Sequence, residues 1–359
     1  MDIFNLCQDF SFEGEFLNYE VVTTGNINTT YKVTMQLGAK EERYLLQKIN
    51  KNVFSHPERI MENIKSVNDF IDHRHKCEDL FVLHFINSKN DLPYVIDEHG
   101  NFWRACKFFD CACFDSPDDL FVIEEAGRAF GQFQYLLNGY DASKLHVTIP
   151  NFHDTRKRIQ ALEKTIKYAS GSLKAIAKEE IDYILENKSI AVKLCELLDE
   201  GKIPLRVTHN DTKCNNVIFD KNTLKALAVI DLDTIMPGLC AYDFGDGARS
   251  ICSTTDEDEQ DLSLVKFDLE RFERFSKGYF KYLKSILTED EKDTLALSVY
   301  IMTLELASRF LQDYLNGDVY FKVRMKNHNL IRARCQIALC KDILIKLDQM
   351  NEIVHKYLQ

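Results

Sequence analysis

The chain has a deficit of positive charge and no long apolar run. Its 45 lysine and arginine residues are outnumbered by 56 aspartate and glutamate residues, giving 359 residues a formal net charge of -11. This balance leaves little basic surface for a polyanion, so we expect neither a nucleic acid nor an anionic membrane as partner. No apolar run approaches the roughly 18 residues that a membrane-spanning helix needs. We therefore expect a small-molecule substrate.

The sequence also lacks the cysteine spacing of a zinc site and the basic start of a secretory signal. Its 11 cysteines are irregularly spaced, and the tight pair Cys111-Ala112-Cys113 has no two-residue gap and no second pair. The first residues, Met1-Asp2-Ile3-Phe4-Asn5, include an acid where a signal peptide carries positive charge. We expect free thiols and a cytoplasmic protein, either a monomer or a weak homo-oligomer.

The length and the 45% hydrophobic content suffice for two cores. Strand patterns occur at residues 19–22, 30–34 and 43–49, and a last hairpin is predicted from 95–97 and 102–108. Helical patterns follow from residue 120, and residues 156–200 predict two charged amphipathic helices. We expect an α+β, bilobal fold, with a small β-rich N-terminal lobe over residues 1–109 and a larger, mainly α-helical lobe over residues 110–359.

One short region carries the groups of a phosphoryl-transfer site. It consists of His209-Asn210-Asp211-Thr212-Lys213-Cys214-Asn215-Asn216 and, further on, Val229-Ile230-Asp231-Leu232-Asp233. The order of acids and amide matches the one that protein-kinase-type sites use. A hydroxyl that attacks the γ-phosphate of ATP needs a carboxylate to accept its proton, and Asp211 is the candidate base. Lys213 can offset the charge that builds on the phosphoryl oxygens.

The same region supplies ligands for Mg2+, which prefers oxygen atoms and neutralises the triphosphate. We predict that Asn216 and Asp231 bind the metal. Residues 216–220 and 226–230 predict a hairpin that returns Asp231 to the side of Asn216. In an extended strand, Asp233 projects to the same side as Asp231 and can take a second metal or a bridging water.

The N-terminal strands offer candidates for nucleotide binding. The turn that contains Gly25, Asn28 and Thr29 can cover ATP phosphates, although with a single glycine a plain hairpin is equally compatible. Kinases direct a lysine from the third strand at the phosphates, which makes Lys48 the candidate. Gln47 is the alternative, because neighbouring residues of a strand point to opposite faces. Glu58 and Glu62 are possible partners of this lysine, but a helix dipole explains acids at these positions equally well.

Several runs of the sequence resemble N-acetylhexosamine 1-kinases, a group within the aminoglycoside phosphotransferase and choline kinase superfamily. The matching runs are residues 25–31, 103–108, 126–131, 152–155, 203–216, 228–238, 242–246 and 309–315. They extend over nearly the whole chain. The resemblance implies a protein-kinase-like fold that phosphorylates the anomeric hydroxyl of GlcNAc or GalNAc with ATP and Mg2+.

The resemblance also implies roles for individual residues. Asp211 corresponds to the base, Asn216 and Asp231 to metal ligands, and Arg309 to a residue of the sugar pocket. Without the resemblance, Arg309 is equally well explained by an i,i+4 ion pair with Glu305.

Two positions differ from the related kinases. The position that matches Asn26, expected at the substrate, carries a histidine in those kinases, and the position that matches Ser250 carries an aromatic residue. These differences leave the identity of the sugar open.

Two other functions are compatible with the sequence. A kinase for another sugar, a polyol, choline or an aminoglycoside would keep the same base and metal ligands. A catalytically inactive nucleotide-binding module is expected to have lost at least one of Asp211, Asn216 and Asp231, all of which are present.

Overall fold

The computed structural model describes residues 2–23, 28–74 and 80–359. The strands are β1 (Glu15–Val22), β2 (Thr29–Leu37), β3 (Lys40–Lys48), β4 (Val95–Ile96), β5 (Phe102–Lys107), β6 (Arg206–Thr208), β7 (Val217–Phe219), β8 (Ala226–Val229) and β9 (Met236–Gly238). The helices are α1 (Ile3–Cys7), α2 (Pro57–Arg74), α3 (Leu120–Leu136), α4 (Thr155–Tyr168), α5 (Gly171–Ile176), α6 (Lys178–Glu186), α7 (Lys188–Ala191), α8 (Lys193–Asp199), α9 (Cys240–Ile251), α10 (Leu269–Phe280), α11 (Glu289–Leu315) and α12 (His328–Leu358). Short 3-10 turns lie at Ala142–Lys144, Cys214–Asn216 and Leu232–Thr234.

The first five strands form one antiparallel sheet in the order β1-β2-β3-β5-β4. The predicted strands and the last hairpin of the N-terminal part are thereby confirmed. One face of the sheet packs with α1 in a small core that includes Leu46 and Trp103. Phe102, on the other face, joins α2 in the main core of the protein. Since side chains alternate along a strand, Gln47 and Arg104 lie on the same face as Phe102.

The larger part of the molecule is helical, and this confirms the α+β class with a small sheet and a mainly α-helical remainder. The boundary between residues 109 and 110 stays a prediction. Helices α3 and α10 approach each other closely at glycines. A Cβ atom at Gly131 would lie 1.9 Å from the carbonyl oxygen of Tyr279, and one at Gly278 would lie 2.0 Å from that of Glu124. The helix contact therefore requires residues without a side chain at both positions.

Helix α11 is, by length and composition alone, apolar enough to cross a membrane. However, 83% of its most apolar window is buried inside the protein, as in the core helix of a globular fold. Its buried side chains pack against α9 and α12.

The prediction of two helices over residues 156–200 is wrong, because the chain there forms five short helices, α4 to α8. Ala169 has extended backbone after α4, and the Ser170 side chain accepts from the backbone N–H of Leu173 to start α5. Later in the run, the Asn187 side chain donates to the carbonyl of Tyr183 at the end of α6. Local caps thus divide a segment whose charge pattern is continuous.

The predicted hairpin between the two halves of the motif is confirmed. Strands β7 and β8 pair antiparallel, with Val217 opposite Val229. Beyond the strands, the backbone N–H of Ile230 donates to the carbonyl of Asn216 at 2.9 Å. This bond brings the start of the Asp231 segment to the end of the loop that carries Asp211.

Candidate active site

Asp211 lies in the loop between β6 and β7, and two other predicted residues contact it. The ammonium of Lys213 lies 3.1 Å from Asp211 Oδ1, and this carboxylate raises the pKa of Lys213. The side-chain amide of Asn216 donates to the Asp211 carbonyl oxygen at 2.8 Å and to its Oδ2 at 3.1 Å. The candidate base, its neighbouring cation and one candidate metal ligand therefore form a single cluster.

His209 fixes this loop against the Asp231 segment. The backbone N–H of Asp211 donates to His209 Nδ1 at 3.2 Å, so this ring nitrogen acts as an acceptor and carries no proton. The other ring nitrogen, Nε2, then donates to the carbonyl of Ile230 at 2.8 Å. The histidine is fully buried and is the neutral tautomer protonated at Nε2. It thereby holds the residue before Asp231 at a fixed distance from Asp211.

Two acids of α9 also hold the loop. Asp243 accepts from the backbone N–H groups of His209 at 2.9 Å and of Asn210 at 2.8 Å. Asp246 accepts from the backbone N–H of Thr212 at 3.0 Å. These carboxylates position the loop through its backbone, a role that their place in the matching run 242–246 did not reveal.

The extended strand predicted through Asp233 is wrong. Asp231 has left-handed backbone, with φ 60° and ψ 53°, and the chain then turns through Leu232–Thr234. Aspartate is one of the few residues with a side chain that adopt this conformation readily. Because the chain turns, the strand geometry that placed Asp233 beside Asp231 does not apply.

Asp233 instead forms a buried ion pair with Arg104 of β5. Its second carboxylate oxygen accepts from the side-chain amide of Asn28 at 3.1 Å, and Asn28 Oδ1 accepts from the backbone N–H of Asn50 at 3.0 Å. Gln47 completes the group by accepting from Arg104 Nε at 3.0 Å. Both oxygens of Asp233 are therefore engaged by the protein, and its role as a metal ligand stays a prediction.

The contact of Lys48 with the nucleotide stays a prediction, and the structure shows which sheet face its side chain occupies. Lys48 lies on the sheet face of Trp103, with its ammonium 6.0 Å from the centre of the indole ring, whereas Gln47 shares the face of Arg104. Neither candidate glutamate pairs with Lys48, since Glu58 contacts His56 and Glu62 contacts His146. The strand register therefore places Gln47, and not Lys48, on the sheet face that carries the Arg104–Asp233 pair.

Arg104 was not predicted as a site residue, although it was part of a matching run. The sequence did contain a signal for it. Arg104 lies two residues from both Phe102 and Cys106, so it shares their sheet face and is a cation among apolar neighbours. Gly25 and Asn26 lie outside the described residues. Thr29 begins β2 and is exposed, and its contact with ATP stays a prediction.

The residues around Asp231 fit a magnesium ion in their chemistry. Asp231 is solvent-exposed as a residue, but surrounding protein limits the hydration of its carboxyl group. This limited hydration, followed by the like charges of Asp233 and Asp211, raises the pKa of Asp231 to about 6. A cation would relieve this repulsion. Asn216 uses its amide nitrogen on Asp211, which leaves the amide oxygen as its donor atom for a hard cation. Among the described residues no group of three or more acids, histidines and cysteines forms a preassembled metal cluster.

Arg309 lies in a buried polar cluster beside the catalytic loop. Its guanidinium lies 3.9 Å from Glu305, which confirms the i,i+4 pair, and it rests between the rings of Phe152 and Phe321 at 5.4 and 5.6 Å. Glu305 also accepts from His153 at 3.0 Å. The role of Arg309 in binding a sugar stays a prediction.

The fold and this loop define a protein-kinase-like phosphotransferase. The profile of the phosphotransferase enzyme family, APH, matches residues 19–275, which is more than half of the chain. The protein belongs to this family.

Solved structures with the same fold span nearly the whole chain. An aminoglycoside phosphotransferase from Alicyclobacillus acidocaldarius superposes with a TM-score of 0.62 at 12% identity, over 98% of this chain and 95% of that one. A choline kinase from Cryptosporidium parvum gives 0.60 at 13% identity, over 99% and 98%. Spectinomycin phosphotransferase in complex with ADP and spectinomycin gives 0.57 at 12% identity, over 97% and 98%. At these identities the likeness concerns the fold.

Proposed function

We propose that the protein transfers the γ-phosphoryl group of ATP to the anomeric hydroxyl of an N-acetylhexosamine, GlcNAc or GalNAc. The contact of Asp211 with Lys213 and Asn216 carries this proposal, because it joins a proton acceptor, a cation and a metal-ligand oxygen. In the proposed reaction, the acceptor hydroxyl donates a hydrogen bond to Asp211, which orients it and takes its proton.

Lys213 lies beside the oxygen of Asp211 and is placed to offset charge on the phosphoryl oxygens. Asn216 and Asp231 would hold Mg2+, which supplies neutralisation of the triphosphate when it is bound. His209, Asp243 and Asp246 orient the loop through hydrogen bonds to its backbone.

The charge around Arg309 favours a neutral acceptor. Glu305 lies among His153, Arg158 and Arg309, and the four residues form what we call the Arg309 cluster. Burial, followed by the like charge of Arg309, lowers the pKa of Arg158. With His153 protonated, the cluster holds three cations and one carboxylate, while Asp246, a further acid that acts on His153, is paired with Arg249.

A net positive cluster repels the ammonium groups of choline and of aminoglycosides. Its guanidinium groups can donate to hydroxyl and acetamido oxygens of a sugar. This electrostatic difference supports an amino sugar with a blocked amine over the cationic acceptors.

The test is ADP release by the purified protein with Mg-ATP and one acceptor at a time. The panel contains GlcNAc, GalNAc, glucose, galactose, myo-inositol, choline and an aminoglycoside, and free glucosamine serves as the matched cationic form of the sugar. We expect turnover of GlcNAc or GalNAc and a higher KM for glucosamine. Turnover of choline or the aminoglycoside with both N-acetylated sugars inert would contradict the proposal.

A second acceptor class has one observation in its favour. On the resemblance to N-acetylhexosamine 1-kinases, Ser250 of α9 replaces an aromatic residue, and an acceptor pocket there would lack one apolar wall expected for an N-acetylhexosamine. A sugar or polyol without the acetamido group would be the acceptor in that case. Glucose, galactose and myo-inositol in the panel test this possibility.

A further inference from the structure

His153 was not predicted as a site residue, yet it contacts the catalytic loop. Its Nδ1 donates to Glu305 Oε1 at 3.0 Å, and its Nε2 donates to the carbonyl oxygen of Asn210 at 3.1 Å. Both partners are acceptors when Glu305 is ionised, so both ring nitrogens carry a proton. The side chains of His153 and Glu305 are only 6% and 2% exposed, and water therefore does not compete for these bonds.

The charge state of this pair follows from its surroundings. Burial alone would lower the pKa of His153, but the Glu305 carboxylate outweighs burial and raises it. Burial would likewise raise the pKa of Glu305, and the charge of His153 and then of Arg309 lowers it. Both pKa directions and both hydrogen bonds therefore favour an imidazolium paired with a carboxylate.

Other charged groups face the pair from each neighbouring helix. Arg309 lies on α11, Asp246 on α9 and Arg158 on α4. The ring of Tyr242, also on α9, lies 5.4 Å from the imidazole. Asp246 is itself paired with Arg249 at 2.6 Å, so Glu305 is the acceptor that His153 uses.

The bond to Asn210 acts on the peptide that joins this residue to Asp211. Asn210 has left-handed backbone, with φ 64°, a conformation that persists where neighbouring groups support it. Asp243 holds the N–H of Asn210, and His153 holds its carbonyl. The orientation of this peptide sets the direction in which the Asp211 side chain leaves the backbone.

Glu305 also contacts Arg309, at 3.9 Å, on the same helix. We propose that His153 is a positioning residue that, through Glu305, couples acceptor binding at Arg309 to the orientation of Asp211. The hydroxyl of an acceptor bound at Arg309 is thereby aligned with the Asp211 carboxylate that takes its proton. This inference rests on the roles of Asp211 and Arg309 in the proposed function.

The first test compares His153→Gln with His56→Gln. His56 forms a histidine–glutamate pair of the same 3.0 Å length with Glu58, but that pair is exposed and far from the loop in sequence. For His153→Gln we expect kcat to fall about tenfold or more, with KM for ATP changed less than about twofold, because the base is misdirected while nucleotide binding is untouched. His56→Gln should match the wild type in both constants.

Glu305→Gln tests the link between the acceptor site at Arg309 and His153. It removes the charge that ties Arg309 to His153, so KM for the acceptor should rise together with a fall in kcat. A histidine with a purely structural role predicts a lower melting temperature with kcat per folded molecule unchanged in both variants. That result would overturn the inference.

A measurement on the wild type decides the case if His153→Gln does not fold. Nitrogen-15 NMR of labelled histidines should show a buried imidazolium that stays protonated at pH 7, with Glu305→Gln removing that signal. A neutral ring would overturn the inference. The kinetic constants are measured with whichever acceptor the wild type turns over, so inertness of GlcNAc and GalNAc would contradict the proposed function alone.

Discussion

Arg104 of the N-terminal sheet forms a buried ion pair with Asp233, in the turn that follows the β7–β8 hairpin. Asn28, just before β2, donates to the same carboxylate. Protein kinases connect their third strand to a helix through a lysine–glutamate pair. Here the ionic connection runs from β5 to the segment that carries Asp231, and it joins the sheet directly to the candidate metal site.

Replacing Arg104 with methionine should destabilise the protein strongly. The change leaves Asp233 buried without its cation, and breaking a buried pair in this way costs about 3–5 kcal/mol. Urea unfolding of Arg104→Met measures the loss, with Arg43→Met, an exposed arginine of β3, as control. A loss below about 1 kcal/mol would show that the ion pair contributes little.

Replacing Lys48 with methionine should leave nucleotide binding nearly intact. The side chain lies on the sheet face of Trp103, away from Asp233 and Asp211, and a half-buried cation–π contact is worth about 0.5–2 kcal/mol. We expect KM for ATP to change less than about twofold relative to the wild type. A tenfold rise in KM for ATP with normal stability would show that Lys48 binds the nucleotide.

Asp211→Asn should fold normally and lose most phosphoryl transfer. The amide cannot accept the acceptor's proton, and loss of a general base lowers kcat by about 10²–10⁴-fold. Initial rates with Mg-ATP and the preferred acceptor measure this loss. Asp220→Asn is the control, because Asp220 lies in the β7–β8 turn, just beyond the catalytic loop, and its carboxylate accepts from Asn222 and Thr223 of that turn. Near-normal turnover by Asp211→Asn would remove Asp211 as the base.

Nucleotide binding with Mg2+ should weaken as the pH falls through about 6. Limited hydration, followed by the charges of Asp233 and Asp211, raises the pKa of Asp231 to about 6, and the proton then competes with the cation. Isothermal titration with Mg-ADP between pH 5 and 8 measures the effect. An affinity that is constant across this range would show that Asp231 does not bind the metal.

The raised pKa of Asp231 also makes the free energy of unfolding depend on pH when no metal is bound. Asp231 has a higher pKa in the folded protein than in the unfolded chain, so its contribution is present below pH 3.8 and is lost as the pH rises through about 6. Because the residue is exposed, we expect a small effect on unfolding. Asp231→Asn should remove this part of the pH dependence.

The sequence was sufficient to predict the site residues that local structure brings together. Asp211 and Asn216 are five residues apart in one loop, and the β7–β8 pairing returns the chain to Asn216 before Asp231. Alternating apolar residues and turn signals predict such a hairpin without knowledge of the rest of the fold.

The remaining parts of the site depend on properties that a pattern does not encode. The choice between Gln47 and Lys48 depends on strand register, where one residue reverses the face. The left-handed backbone at Asp231 ended the predicted strand. His153 and Glu305 are 152 positions apart, and the packing of α11 against α4, which begins just after His153, brings them together.

The position of the transferred phosphate distinguishes the proposed anomeric phosphorylation from phosphorylation of any other hydroxyl. We would incubate the wild type with Mg-ATP and GlcNAc or GalNAc, with Asp211→Asn in parallel, and assign the product by 31P NMR. We expect a sugar 1-phosphate whose phosphorus couples to the anomeric proton, formed by the wild type and nearly absent with the variant. A phosphate on another hydroxyl, or no product from either sugar, would contradict this expectation.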